Sequence, residues 1–253
     1  MSQPTLEDLH DDHTPKAIAA RLQESSSLNY LGDFILGAVD GTVTTFAIVA
    51  GVAGANLSGG VMIAIILGLA NVLADGFSMA VSNYLKARAD RHVLDNFRRL
   101  EESHIESIPE GEREEIRQIF AAKGFEGHVL DEIVRVITND RKQWVDTMLT
   151  EEWGLQLETP CPFRAGLTTF LGFICAGMIP LSPLFFGGVL GPDWTFLASA
   201  IAAMASFFII GAIRGFITRH PLFLSGMETL LIGSGAAVLA YGVGITLGGL
   251  VPP

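Results

Sequence analysis

Two apolar segments carry side chains with the chemistry of a metal pathway. Asp40 lies within the first, and Asn71, Asp75 and Met79 follow at positions i, i+4 and i+8 in the second. This spacing places an amide, a carboxylate and a thioether along one stripe of a helix. Oxygen and soft sulfur ligands together suit a borderline transition metal better than Mg²⁺ or Ca²⁺. The alternatives are interhelical hydrogen bonds for the acids and simple packing for Met79.

A polar segment farther along the chain repeats this donor chemistry in three pairs, each on one helical face. The pairs are Glu101 with His104, Glu112 with Glu115, and Met148 with Glu152. If the three faces converge, they form a carboxylate-rich pocket with one imidazole and one thioether, which suits Fe²⁺, Mn²⁺, Co²⁺ or Zn²⁺. The alternative is a solvated acidic surface, because acidic runs are common on exposed helices.

Other acids are secondary candidates. Asp33 lies at the boundary of the first apolar segment and Glu228 near the start of the last, where a carboxylate can also reach the membrane interface. The tail motif His10-Asp11-Asp12-His13 has the right residue types for a metal, but a disordered acidic tail is the favoured interpretation.

The elements that position these residues follow from hydrophobicity. The chain has 253 residues, 49% of them hydrophobic and only 17% charged. About 20 helical residues cross a bilayer, and five segments reach that length: Phe34 to Ala55, Val61 to Leu85, Phe163 to Val189, Trp194 to Phe216 and Leu222 to Leu250. We therefore predict an all-α membrane protein with five transmembrane helices.

The basic residues predict the orientation in the membrane. All 16 Lys and Arg lie in the N-terminal tail, between residues 86 and 164, or at Arg214 and Arg219. By the positive-inside rule, the N-terminus and the long central loop are cytosolic and the C-terminus is outside. The polar start predicts no cleaved signal peptide. Two cysteines, Cys161 and Cys175, make no disulfide framework.

The loop between spans two and three is long enough to be a domain. We divide the chain into a tail (1–30), spans one and two (31–87), a cytosolic helical metal-binding domain (88–160) and spans three to five (161–253). Within the loop, Lys86 to Ser107 continues span two, and Glu112 to Lys123 and Glu126 to Trp153 form two further helices. Together they predict a three-helix insert.

Three stretches identify a family resemblance: DFILGAVDG (33–41), AGVAGAN (50–56) and DGFSMAVSNYL (75–85). They resemble the vacuolar iron transporter family, and the likeness runs from about residue 28 to the C-terminus. The resemblance implies a homodimer of five-helix protomers in a lipid bilayer, exporting Fe²⁺, and in some members Mn²⁺, from the cytosol in exchange for protons. It also implies that the insert gathers ions beneath the pore.

By resemblance, Asp40 and Met79 match the family's aspartate and methionine in spans one and two. The insert ligands of the family match Glu101, His104, Glu112, Glu115, Met148 and Glu152. This chain departs from the family at His104, which replaces a glutamate and makes metal affinity more sensitive to pH. It departs again at Asn71, which also replaces a glutamate, while an acid appears one turn later at Asp75.

These observations predict a transporter that exports Fe²⁺, or Mn²⁺, by proton antiport, rather than an enzyme. Without a GxxxxGK[ST] loop no nucleotide is expected, and the net charge of −11 argues against nucleic acid. A membrane-attached di-iron ferroxidase is one alternative, although no second Glu-x-x-His lies on another of the predicted helices. A metal-sensing membrane protein is the other. The expected location is a bacterial inner membrane, or a vacuolar membrane in a eukaryote. Gly37 and Gly41, four residues apart, would let another helix approach at the level of Asp40, and they support the dimer.

Overall fold

The computed structural model describes residues 13–23 and 28–250. Within these ranges the chain is helical and contains no strand, so the all-α prediction is confirmed. The helices are α1 (Pro15–Gln23), α2 (Leu28–Ala55), α3 (Gly60–Ser107), α4 (Pro109–Ala122), α5 (Gly127–Asn139), α6 (Arg141–Glu151), α7 (Pro162–Leu181), α8 (Gly187–Leu190), α9 (Pro192–Ile217) and α10 (Leu222–Gly248). His10, Asp11 and Asp12 of the tail motif lie outside the described residues.

Five stretches are long and apolar enough to cross a membrane, as the sequence predicts. They are α2, α3, α9, α10 and the stretch Pro162–Val189, which begins with α7. The third predicted span, Phe163 to Val189, is not one regular helix. Its α-helical part ends at Leu181, and a 3₁₀ turn, Ser182–Phe186, precedes α8. The turn contains Pro183, which has no backbone N–H to continue an α-helix.

Glycines allow α2 and α7 to approach at backbone distance. A Cβ on Gly37 would lie 2.1 Å from the Thr169 carbonyl oxygen, and one on Gly41 would lie 2.4 Å from that of Phe173. Only hydrogen at these positions permits the contact. The expectation that another helix packs beside Asp40 is therefore met within one chain. The two glycines are covered by α7, so their use as support for a dimer was wrong.

The chain divides into two compact units. One, the spanning unit, contains residues up to Tyr84 and from Phe163 onward; the other, the helical insert, is Leu85–Pro162. The dividing residue falls within α3, which continues without a break from Gly60 to Ser107. The continuation of span two through Lys86 to Ser107 is thus as predicted.

The predicted helix Glu126 to Trp153 is wrong, because Asp140 interrupts it. This residue has an extended backbone (φ −114°, ψ 111°), and its carboxylate accepts hydrogen bonds from the backbone N–H groups of Lys142 and Gln143. Asp140 is therefore the N-cap of α6, and the helical insert has four helical segments rather than the predicted three. The second insert helix also begins earlier than predicted, at Pro109, where proline suits the first helical turn.

The helical insert has its own hydrophobic core. Six buried residues form its main cluster: Ile116, Leu130, Val134, Ile137, Trp144 and Met148. A second cluster joins Leu94 on α3 to Val145 and Leu149 on α6. The core fixes the helices that carry the predicted metal ligands.

Candidate metal site

Three of the predicted ligands converge in the helical insert. Glu101, His104 and Glu112 each offer one ligand atom, and these atoms all lie within 4.8 Å of one another. Both glutamates are only 1% exposed, and His104 Nδ1 lies 3.2 Å from Glu112 Oε1. Two carboxylates and an imidazole at this separation match the donors that bind Fe²⁺, Mn²⁺, Co²⁺ or Zn²⁺.

A sharp turn brings these side chains together. Glu101 and His104 lie one turn apart near the end of α3. At Ile108 the backbone leaves the helical conformation (φ −139°, ψ 55°), and α4 starts at Pro109 with Glu112 in its first turn. The end of one helix and the beginning of the next therefore supply the three donors.

Two oxygens in this cluster lack a hydrogen-bond donor when both acids are ionised. Oε2 of Glu101 and Oε2 of Glu112 are buried, and neither then has a partner among the described residues. A proton on Glu112 allows a hydrogen bond between the two side chains, which contributes to the raised pKa of Glu112. The other oxygen of Glu101 accepts a hydrogen bond from the Trp153 indole N–H at 2.8 Å. An unpartnered buried carboxylate oxygen is costly unless a proton or a cation binds it.

The electrostatic environment of the cluster favours protonation of its carboxyl groups in the absence of metal. Burial, followed by the negative charges of Glu101 and Glu115, raises the pKa of Glu112 to about 7. Burial also raises the pKa of Glu152, with further contributions from Glu101 and Glu115. The four carboxyl groups therefore share one electrostatic environment, and near neutral pH Glu112 exchanges its proton readily.

The remaining insert ligands have different surroundings. Glu115 and Glu152 are exposed and affect the cluster through their charge. Met148 is fully buried and packs in the hydrophobic core with Ile116 and Trp144. The structure therefore places Glu101, His104 and Glu112 in direct proximity, with Glu115 and Glu152 near enough to act on Glu112 through their charge.

In the spanning unit, Asp40 and Asp75 are half-buried and interact electrostatically. Asn71 donates a hydrogen bond to Thr44 Oγ1 at 3.1 Å, and that hydroxyl donates to the Asp40 carbonyl oxygen at 2.9 Å. Thr44 was missed in the sequence, although its i+4 spacing from Asp40 was a usable signal. Met79 is half-buried on the same helix as Asp75.

The two secondary candidates have protein partners. Asp33 accepts a hydrogen bond from Asn83 at 2.9 Å, and the same amide donates to Thr169 Oγ1 at 2.8 Å. This link connects α2, α3 and α7. Glu228 on α10 is exposed and forms an ion pair with Arg214 on α9. Both acids thus have structural interactions that need no metal.

Comparisons with known proteins point to one family. A model of the VIT family matches residues 31–245. The chain is 33% identical over 232 residues to a vacuolar iron transporter of Toxoplasma gondii, covering 88% of this chain and 76% of that protein. It is 31% identical to vacuolar iron transporter 1 of Tulipa gesneriana and 30% identical to vacuolar iron transporter 1 of Arabidopsis thaliana, covering 94% of this chain and 92% of each relative. The chain therefore belongs to the VIT family.

Proposed function

We propose that this protein moves divalent iron out of the cytosol across a membrane in exchange for protons. The observation that carries the proposal is the cluster of Glu101, His104 and Glu112, in which one buried oxygen of each glutamate has no hydrogen-bond partner among the described residues. Support comes also from the relatives named as iron transporters and from the acids within the spans. Mn²⁺ is a second substrate to be tested, since its ligand preferences overlap.

The helical insert collects the ion on the cytosolic side. Glu101, His104 and Glu112 bind it, and Glu115, Met148 and Glu152 complete the donor set. Because the pKa of Glu112 is about 7 in the metal-free protein, an arriving cation displaces a proton from this group. Metal capture and proton release are therefore linked at the same carboxylate.

In the spanning unit, Asp40 and Asp75 carry the ion, assisted by Asn71 and Met79. A divalent cation compensates the two neighbouring negative charges, and protons compensate them after the cation leaves. An acidic compartment on the outer side of the membrane supplies those protons. The proton gradient thereby drives metal export, without a nucleotide.

The test is transport into proteoliposomes that contain a pH-sensitive dye. Fe²⁺ and Mn²⁺ are supplied under a set pH gradient to the wild-type protein, to Asp40→Asn and to Asp193→Asn. Asp193 is an acid of the same unit, in the first turn of α9, and has no assigned role. We expect metal flux with opposite proton movement, lost in Asp40→Asn and retained in Asp193→Asn. Full transport by Asp40→Asn would contradict the mechanism.

The same preparation separates the alternatives. Oxygen consumption with a diferric absorption band would identify a ferroxidase. Metal binding without any flux would identify a sensor.

A further inference from the structure

Trp153 makes a direct contact with the candidate metal site from outside the predicted ligand set. Its indole N–H donates a hydrogen bond to Oε1 of Glu101 at 2.8 Å. The contact joins residues 52 positions apart in the chain. Indole N–H is a donor only, so the direction of this hydrogen bond is fixed.

The surroundings hold the Trp153 ring in place. Its ring centroid lies 4.3 Å from that of Phe97, which is one helical turn before Glu101 on α3. Just beyond the end of α6, the Trp153 backbone N–H donates to the Met148 carbonyl oxygen, and Gly154 follows with a positive φ of 64°. The ring therefore packs against Phe97 in a tilted arrangement, with an interplanar angle of 44°, and its backbone is held by a hydrogen bond.

The hydrogen bond distinguishes the two oxygens of Glu101. Oε1 accepts the hydrogen bond from the indole, whereas Oε2 is buried and, with both glutamates ionised, has no partner in the part of the chain that the structure describes. An indole is neutral at every accessible pH, so it orients the carboxylate and leaves its negative charge for a cation. A lysine or arginine donor at this place would neutralise that charge.

We infer that Trp153 is a positioning residue that holds Glu101 so that Oε2 alone binds the metal. This inference rests on the proposed role of Glu101 as a ligand. Groups that hydrogen-bond to metal ligands typically contribute about 10- to 100-fold to metal affinity. Trp153 thus strengthens metal binding without touching the ion.

The test is Co²⁺ binding to the full-length protein in detergent at pH 8. Trp153→Phe keeps an aromatic ring beside Phe97 and removes the donor, and we expect its Kd to rise roughly tenfold or more. Trp144→Phe is the matched control. It also removes an indole from the insert, but the Trp144 N–H has no hydrogen-bond partner among the described residues. Its Kd should stay within about twofold of the wild-type value.

A double-mutant cycle tests whether Trp153 acts through Glu101. In a Glu101→Ala background, Trp153→Phe should cause no further loss of Co²⁺ affinity. An equal loss in both backgrounds would overturn the positioning role. Wild-type affinity in Trp153→Phe, with weak binding in Glu101→Ala, would overturn the inference and leave the proposed function intact. Wild-type affinity in Glu101→Ala would instead overturn the proposed metal site, and the inference with it.

Discussion

Protonation of Glu112 alone is expected to lower metal affinity in the helical insert by about tenfold between pH 8 and pH 6. A proton and a cation compete for this carboxylate, and its raised pKa keeps the proton bound at pH values below about 7. Roughly one-tenth of Glu112 is protonated at pH 8 and roughly nine-tenths at pH 6. Since only the deprotonated form binds metal, the apparent Kd rises in proportion to the loss of that form.

Calorimetric titration of the full-length protein with Co²⁺ at pH 6, 7 and 8 measures this slope. Repeating it in two buffers with different ionisation enthalpies counts the protons released. Glu112→Gln should bind more weakly, with a shallower slope and fewer protons released. Glu114→Gln, an exposed glutamate on the same helix that pairs with Arg117, should match the wild-type protein. A wild-type Kd that is constant from pH 6 to pH 8, or an unchanged slope in Glu112→Gln, would refute the reasoning.

Three further predictions concern stability. The metal-free protein should melt at a higher temperature at pH 6 than at pH 8, and Glu112→Gln should reduce the difference, because a pKa raised from 4.5 to about 7 stabilises the fold only while the proton stays bound. Asp140→Ala should cost about 1 kcal/mol in urea unfolding, while Asp140→Asn keeps the cap. Gly41→Ala should lower the melting temperature in detergent, since its Cβ would meet the Phe173 carbonyl at 2.4 Å and overpacking costs about 1–3 kcal/mol. Gly32→Ala, with open space around its Cβ, should not lower it.

The membrane helices were predictable because bilayer thickness fixes the length of an apolar segment. The break at Asp140 was not found, since hydrophobic spacing continues across it. Ile137 and Trp144 are seven residues apart, which is the spacing of two helical turns. A single capping residue can therefore separate two helices whose buried faces still follow one period. The Asn139-Asp140 pair was the available signal, because both residue types favour caps.

The cluster of Glu101, His104 and Glu112 was predictable from helical spacing and from family resemblance. The contacts that distant residues of the insert make with this cluster were not predictable. Trp153 contacts Glu101 only because of the tertiary packing of the insert, and no local sequence pattern predicts such a contact. Likewise, the glycine pair Gly37 and Gly41 indicated a close helix partner but not which helix would fill it.

Hydrogen bonding distinguishes acids with a structural role from candidate metal ligands, which residue type alone does not do. Asp33 has Asn83, and Glu228 has Arg214, so each carboxylate finds a partner in the protein. Glu101 differs, because one of its buried oxygens is paired with Trp153 while the other has no partner among the described residues. A buried carboxylate oxygen without a hydrogen-bond partner is energetically unfavourable. Binding of a proton or a cation to that oxygen removes this cost. The unpartnered oxygen, rather than the acid itself, is therefore the feature on which we base the proposed metal site.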